Sequence, residues 1–391
     1  MTSSPTADAL LIRKNPQSGN VFRLPMSLPL LPSPERVAHA AANAVDMVFN
    51  GGVADLRRTP ARIIDEAPKR TIYKYLATEE RVRHLPVLLV PPLAAPTICF
   101  DLRRGCSMAE HLLGLGHPTY LLEYGSIAFS DRGLGLEHWI EDIIPTAIRT
   151  VADHAGGQPV QVVGWCLGGI MALLSLAGHS DLPVHAIAAV ASPFDFAALR
   201  RLAPIRGVSN LTGGRLETAI YRTLGGAPAP IVRRAFQLST LDKYLTKHVA
   251  MAVNLHDREF LAQLEAVDRF IANMHAYPGR TMGQLYHRFF RVNDLADGRL
   301  HLGDRELDLA DVAVPVLAVA GRADSLAPPA AVHHVRSLLG GAPEVQLKTG
   351  PGGHLGVLTG RNASATTWRW IDEFFARHEP TLRGRRLRAV A

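Results

Sequence analysis

The feature that most constrains the fold is the alternation of short apolar runs with amphipathic stretches, which begins at residue 84. Such apolar runs are typical of strands buried on both faces of a parallel sheet, and the stretches between them are typical of covering helices. The pattern predicts an α/β fold with a mostly parallel central sheet and helices on both faces. The predicted strands are 86–90, 119–124, 160–163, 184–190, 315–319 and 344–348, and the predicted helices are 107–116, 137–154, 167–178 and 363–377.

The alternation stops between residues 196 and 305, where helical patterns such as 258–275 predominate and no clear buried strand is evident. We interpret this stretch as a mostly helical cap inserted into the sheet domain. Before the first core strand, the sequence predicts a linker around Pro60 and an early strand over 70–75. The predicted division is an N-terminal extension with one helix at 1–57, core at 58–195, cap at 196–305, core at 306–378 and a basic tail at 379–391.

The composition narrows the function classes. The chain has 391 residues, of which 47% are hydrophobic, and this is enough for a large buried core. Its net charge of +7 suits an anionic substrate, but no nucleic-acid-binding motif is present. Its three cysteines predict neither a disulfide framework nor a zinc site, and no apolar run predicts a membrane span. We expect a cytoplasmic protein without a cofactor or a metal.

The strongest local motif is Gly164-Trp-Cys-Leu-Gly-Gly169, which directly follows a predicted strand and opens a predicted helix. This is the context of a nucleophile elbow, with Cys166 where serine is more usual. The turn is tight, so Gly164 and Gly168 keep its flanks small. The positive end of the helix favours a thiolate at Cys166. The motif therefore predicts an α/β-hydrolase fold with a cysteine nucleophile.

Two partners follow Cys166 in the order typical of this fold, first an acid and then a histidine. Asp324 lies in a predicted loop after the strand 315–319, and His354 lies on the glycine-rich segment 350–356. We predict that His354 is the general base and that Asp324 orients its imidazole ring. An aspartate in such a loop is also typical of an Asx-turn, and a loop histidine is often only exposed. The order of all three residues favours a catalytic triad.

An oxyanion hole is predicted beside the nucleophile. The backbone N–H of Leu167 follows Cys166 and opens the helix, so it points at the reacting carbonyl oxygen. The second donor is expected from the loop after the first core strand, Pro91-Pro-Leu-Ala94, with Leu93 and Ala94 as candidates.

These motifs resemble those of the polyhydroxyalkanoate synthases, especially the shorter class III catalytic subunits. The family's Gly-x-Cys-x-Gly-Gly box matches 164–169, and its Val-Pro-Pro strand end followed by Asp-Leu matches 90–92 and 101–102. The stretch 116–124 is similar to the family's Gly-His before the next strand, and 289–295 is similar to its segment between cap and core. The resemblance extends over about 58–377 and carries the triad onto Cys166, Asp324 and His354.

The resemblance implies an acyltransferase that transfers 3-hydroxyacyl groups from CoA thioesters to a growing polyester chain (poly-3-hydroxybutyrate and related polymers). It also implies a second synthase subunit, a homodimer formed through the cap, and a position on the surface of polyester granules.

Other functions stay open because the chain departs from the family pattern. It has Leu93-Ala-Ala-Pro96 where an Ile-Asn-Lys-like stretch is frequent, and Ser325 where many members have histidine. A cysteine-dependent thioesterase or lipase is therefore an alternative. A dienelactone-hydrolase-like ester hydrolase has the same box but is much shorter and lacks such a cap. A scaffold that has lost catalysis is the non-enzymatic alternative.

Overall fold

The computed structural model describes residues 33–77, 82–199, 223, 225–239 and 241–379. The basic tail from residue 380 onward and the first 32 residues lie outside them. The strands are β1 (Ala61–Ala67), β2 (Arg70–Tyr75), β3 (Val87–Val90), β4 (Asp101–Arg103), β5 (Cys106–Ser107), β6 (Thr119–Glu123), β7 (Val160–Trp165), β8 (Val184–Val190), β9 (Gly226–Ala227), β10 (Tyr277–Pro278), β11 (Arg299–Leu302), β12 (Arg305–Asp308), β13 (Val316–Gly321) and β14 (Val345–Gly350).

The α-helices among the described residues cover the sheet and build the inserted region. They are α1 (Pro34–Phe49), α2 (Met108–Leu115), α3 (Ile144–His154), α4 (Leu167–Gly178), α5 (Ala229–Ser239), α6 (Leu241–Val253), α7 (Arg258–Ala272), α8 (Gly279–Gln284), α9 (Pro329–His333), α10 (Gly356–Thr359) and α11 (Arg369–His378). Wider, π-type turns precede α3 and α11 and follow α8, over His138–Ile143, Ser364–Trp368 and Leu285–Val292.

Eight strands form the central sheet in the order β1-β2-β6-β3-β7-β8-β13-β14. The pairs from β6 to β14 are all parallel, and β2 is antiparallel to both of its neighbours. Strands β3, β7, β8 and β13 are buried along their whole length apart from one residue of β8, as their continuous apolar runs predict. This is an α/β-hydrolase fold, and the predicted fold class is confirmed.

Two strand regions differ from the sequence prediction. The linker predicted around Pro60 leads directly into β1, an exposed edge strand that pairs with β2. Its register shifts between Ile63 and Asp65, so its sequence does not alternate as a regular strand does. The hairpin of β11 and β12 covers 299–308, so the boundary predicted at residue 305 falls inside it. The division into cap and core stays a prediction.

Helix α7 of the inserted region is joined to the core by polar side chains. Arg103, which is buried on β4, contacts Glu259 of α7 and lies 3.3 Å from the Gln263 side-chain oxygen. The Gln263 amide in turn donates to the backbone oxygen of Thr359. Because Thr359 ends the helix that follows the His354 loop, these contacts fix α7 above the carboxyl edge of the sheet.

Candidate active site

Cys166 occupies a sharp turn between β7 and α4. Its backbone has φ 53° and ψ −122°, a conformation that residues other than glycine rarely adopt. The turn is held because the Cys166 N–H donates to the backbone oxygen of Val190, at 2.8 Å. Its carbonyl oxygen accepts the N–H groups of Gly169 and Ile170, the first bonds of the helix. The geometry is that of a nucleophile elbow, and the Cys166 side chain is partly exposed.

Glycines make this turn sterically feasible. A Cβ on Gly164 would lie 2.5 Å from the Cα of Gly169. A Cβ on Gly168 would lie 2.3 Å from the carbonyl oxygen of Val90 and 2.7 Å from that of Pro91. All of these contacts are with backbone atoms, which cannot swing aside as a flexible side chain can. The glycines therefore let α4 begin directly beside the end of β3.

His354 and Asp324 meet on two loops that are hydrogen-bonded to each other. The loop after β13 and the loop after β14 are joined where the Ala323 N–H donates to the Gly352 oxygen, at 2.9 Å. The Asp324 Oδ2 lies 2.8 Å from the His354 Nδ1. The other carboxylate oxygen, Oδ1, accepts the N–H groups of Leu326 and Ala327 at 2.8 Å each. Asp324 therefore makes both the turn and the histidine contact that its position predicted.

The charges of Asp324 and His354 interact strongly because both side chains are buried. The Asp324 side chain has no exposed surface and the His354 side chain is 9% exposed. Burial alone would lower the pKa of His354, but the charges of Asp324 and Cys166 and hydrogen bonds to both raise it well above its ordinary value. Burial alone would raise the pKa of Asp324, but the His354 charge and three hydrogen bonds lower it. Asp324 is thus the acceptor and the His354 Nδ1–H the donor.

Cys166 also acts on this imidazole ring. Its charge and a hydrogen bond to its side chain both contribute to the raised pKa of His354. Since Asp324 takes Nδ1, the remaining nitrogen, Nε2, is the one that can exchange a proton with sulfur. The three residues selected from the sequence therefore form one connected cluster, although their catalytic roles stay predictions.

Trp165 is a supporting residue that the sequence reasoning did not assign. Its ring lies 5.2 Å from that of His354, and its Nε1–H donates to the His354 carbonyl oxygen at 3.3 Å. The side chain is almost fully buried and also packs edge-on against Phe270 of α7. Trp165 thus connects the nucleophile turn, the histidine loop and α7. The sequence shows that Trp165 is adjacent to Cys166, but it does not show where the Trp165 side chain points.

Tyr277 is a second residue of the site that the sequence did not indicate. It precedes α8, and burial together with the nearby charge of Cys166 raises the pKa of its phenol. It packs against a small apolar cluster of Ala94, Val232 and Met274, and it pairs with Ala227 between β9 and β10. No local motif marks it, because it comes from a two-residue strand more than 100 positions after Cys166.

The predicted oxyanion donors lie beside the elbow. Leu167 is the first residue of α4, so its N–H has no acceptor within the helix. Leu93 and Ala94 are each 1% exposed and lie in the turn after β3, which contacts the start of α4 through Val90 and Pro91. The carbonyl oxygen of Ala94 accepts the His275 N–H at 2.8 Å. These contacts hold the loop against the elbow, and its role as an oxyanion hole stays a prediction.

Metal-ligating clusters and membrane-spanning helices are both absent from the described residues. No cluster of three or more histidine, cysteine, aspartate and glutamate side chains within the described ranges could hold a metal ion. In the same residues, every helix is too short or too polar to cross a membrane.

Comparisons with known proteins support the resemblance seen in the motifs. No protein-family model matches the chain. The poly(3-hydroxyalkanoate) polymerase subunit PhaC of Allochromatium vinosum is 26% identical over 337 residues, which cover 84% of this chain and 93% of that protein. The subunit of the same name from Haloarcula marismortui is 23% identical over 342 residues, covering 82% of this chain and 68% of that protein. The Haloferax mediterranei subunit is 23% identical over 335 residues, and the chain spans 65% of its length. The chain thus resembles these polymerase subunits over most of its length.

Among solved structures, the α/β-hydrolase domain-containing protein 10 from mouse is 13% identical and has a TM-score of 0.47. The match covers 81% of this chain and 99% of that one. At this TM-score the two structures superpose only in part, so the fold assignment rests on the strand order given above.

Proposed function

We propose that the protein is a polyhydroxyalkanoate-synthase-like acyltransferase, which moves 3-hydroxyacyl groups from CoA thioesters to a growing polyester chain. The observation that carries the proposal is the elbow cysteine joined to a buried histidine–aspartate pair. The Asp324 Oδ2 to His354 Nδ1 distance is 2.8 Å, and the charge of Cys166 helps to raise the pKa of His354. The resemblance to polymerase subunits supports the choice of substrate.

The first half-reaction forms an acyl-enzyme. His354 takes the proton of the Cys166 thiol, and the sulfur attacks the thioester carbonyl carbon. The negative charge on the carbonyl oxygen is stabilised by the Leu167 N–H and by an N–H of Leu93 or Ala94. The carbon–sulfur bond to CoA then breaks, and CoA leaves as a thiol with the proton held by His354.

The second half-reaction transfers the acyl group to a hydroxyl. His354 takes the hydroxyl proton of the chain end or of an incoming 3-hydroxyacyl group, whose oxygen attacks the Cys166 thioester. An ester bond forms, the Cys166–carbonyl bond breaks, and the proton returns to sulfur. Asp324 stabilises the imidazolium in both steps. A thiol suits this chemistry because exchange of one thioester for another is nearly thermoneutral, and the product thioester still reacts with a hydroxyl.

The proposed assembly follows from the same resemblance. We propose a homodimer, a second synthase subunit, and a site of action in the cytoplasm at the surface of polyester granules.

The test is CoA release from 3-hydroxybutyryl-CoA with parallel recovery of insoluble polyester. We expect both from the wild type, and a decrease of more than about 1,000-fold in CoA release for Cys166→Ala. Cys106→Ala is the matched control, because that buried thiol donates to the Thr359 oxygen and is not part of the triad.

The alternatives predict different results in this assay. CoA release without polymer, even with a candidate second subunit added, would indicate a thioesterase. An absence of CoA release with Cys166 still reactive toward iodoacetamide would indicate an ester hydrolase of another substrate. Full activity of Cys166→Ala would contradict the mechanism, and an inert Cys166 would indicate the scaffold.

A further inference from the structure

A cationic cavity lies at the base of α8, outside the catalytic triad. It has a volume of about 510 Å³ and is lined by three arginines, Arg132, Arg280 and Arg288, together with His287. Glycine residues complete its wall, including Gly225 and Gly279. The concentration of guanidinium groups on a glycine-lined wall suits a planar or tetrahedral oxyanion, since arginine binds phosphate oxygens through paired N–H groups.

Carboxylates neutralise this cavity only in part. Arg280 pairs with Glu137 at 2.6 Å, and Arg288 lies 3.3 Å from Asp294. Arg132 has no carboxylate partner among the described residues. Its guanidinium lies over the Phe129 ring, 4.7 Å from the centroid, and donates one N–H to the Phe129 oxygen. Among the described residues, three guanidinium groups face two carboxylates, so this part of the cavity carries a net positive charge.

The wall of the cavity is held in place by close backbone packing. A Cβ on Gly279 would lie 2.9 Å from the Gly225 oxygen and 3.2 Å from the Arg132 oxygen, so glycine lets three chain segments meet there. The Thr281 N–H and hydroxyl both donate to the Leu134 oxygen, at 3.0 and 2.8 Å. These contacts fix the backbone around the cavity, so little ordering is needed for binding.

The cavity is connected to the candidate active site along the chain. Gly279 is separated from Tyr277 by one residue, and Tyr277 lies close enough to Cys166 for the two to interact electrostatically. Tyr277 also packs against the cluster that contains Ala94, a residue of the predicted oxyanion loop. A ligand with its anionic end at Arg132 and its other end at Cys166 would thus pass along β10.

We propose that this cavity binds the phosphate groups of the CoA carrier while the thioester reaches Cys166. The inference rests on the proposed function for the identity of the ligand. The shared chemistry is a phosphate group, which could also come from a free phosphate ion.

The test measures equilibrium binding to the full chain by titration calorimetry, with CoA, 3′-phosphoadenosine 5′-diphosphate and inorganic phosphate as separate probes. We expect the first two to bind the wild type and the Arg132→Gln substitution to weaken both by about tenfold, since a hydrogen-bonded charge pair is lost. Arg149→Gln is the matched control, because Arg149 is a paired arginine on α3 outside the cavity lining. The control should bind both probes as the wild type does.

Three outcomes would overturn the inference. One is that neither CoA nor the nucleotide binds, another is equal weakening by the two substitutions, and the third is that inorganic phosphate binds as tightly as the nucleotide. A kinetic comparison adds a second readout: Arg132→Gln should raise KM for 3-hydroxybutyryl-CoA more than KM for the phosphate-free N-acetylcysteamine thioester. Equal increases in both would also overturn it. Binding that depends on Arg132 without any CoA release would contradict only the proposed function.

Discussion

At the scale of single residues, Asp324 orients His354 and helps to raise its pKa. One of its oxygens binds two backbone N–H groups, and the other binds His354. The carboxylate is thus fixed before it orients the ring, so the imidazole needs no reorganisation during a proton transfer.

The Asp324→Asn substitution should slow acyl transfer by about 100-fold or more while leaving acylation partly intact. The amide cannot stabilise an imidazolium as a carboxylate does, and the transfer step depends most on that charge. Rapid-quench measurement of the acyl-enzyme against ester product separates the two steps. An equal decrease in both rates would contradict the assignment.

The same substitution should change how stability depends on pH. The raised pKa of His354 stabilises the fold below its ordinary pKa of about 6.5, and this is lost as the pH rises through the folded value. The lowered pKa of Asp324 stabilises the fold above about 3.8, and this is lost as the pH falls through the folded value.

The free energy of unfolding should therefore differ most between the wild type and Asp324→Asn at about pH 4–6.5, and the difference should shrink as the pH rises through the folded pKa of His354. Urea unfolding at several pH values checks this, with Asp311→Asn, an exposed position at the end of a short 3-10 helix, as control. A difference that is constant with pH would rule out charge coupling of the pair.

At the scale of elements, the sharp turn between β7 and α4 depends on glycines, because they have no Cβ that would meet neighbouring backbone atoms. The Gly168→Ala substitution should destabilise the protein by about 2–3 kcal/mol, because its Cβ would meet two carbonyl oxygens of the β3 end. Gly114→Ala in α2 is the control, because the added Cβ would have no neighbouring atom within 4 Å. This substitution should be neutral or slightly stabilising. Thermal unfolding measures both. Similar melting temperatures for the two variants would show that the elbow tolerates a methyl group.

Trp165 belongs to the same scale because it links three elements. Replacing it with phenylalanine removes the hydrogen bond to the His354 oxygen while keeping an aromatic ring. We expect kcat to decrease by about tenfold with a smaller effect on KM, since the histidine loop is less well positioned. Steady-state kinetics test this, and a change confined to stability would assign Trp165 a packing role only.

At the scale of the whole molecule, the segment that follows α1 is joined to α7 of the inserted region through Glu265. Its Oε2 accepts the N–H groups of Val53 and Ala54, at 2.8 and 3.0 Å. Asn43 of α1 also donates to the Leu255 oxygen just before α7. These contacts make α1 and α7 one packed unit.

The Glu265→Ala substitution should therefore lower the free energy of unfolding by about 1–3 kcal/mol, because two partly buried N–H groups lose their acceptor. Hydrogen exchange should increase in α1 before it does in the central sheet. Glu373→Ala is the control, since Glu373 makes only an exposed pair with Arg369 one turn away. Uniform exchange changes would contradict a local role for Glu265.

The sequence by itself predicted the parallel strands of the sheet, because buried parallel strands require continuous apolar runs, and it located Cys166, Asp324 and His354 after strand ends. Local turn chemistry also fixed the elbow, since only small residues fit beside it. The edge strand β1 escaped prediction because its bulge breaks the alternation and its side chains are mostly exposed. Trp165, Tyr277 and the arginine-lined cavity depend on contacts between residues far apart in the chain. Only the tertiary structure decides such contacts, because packing rather than local pattern selects which distant side chains meet.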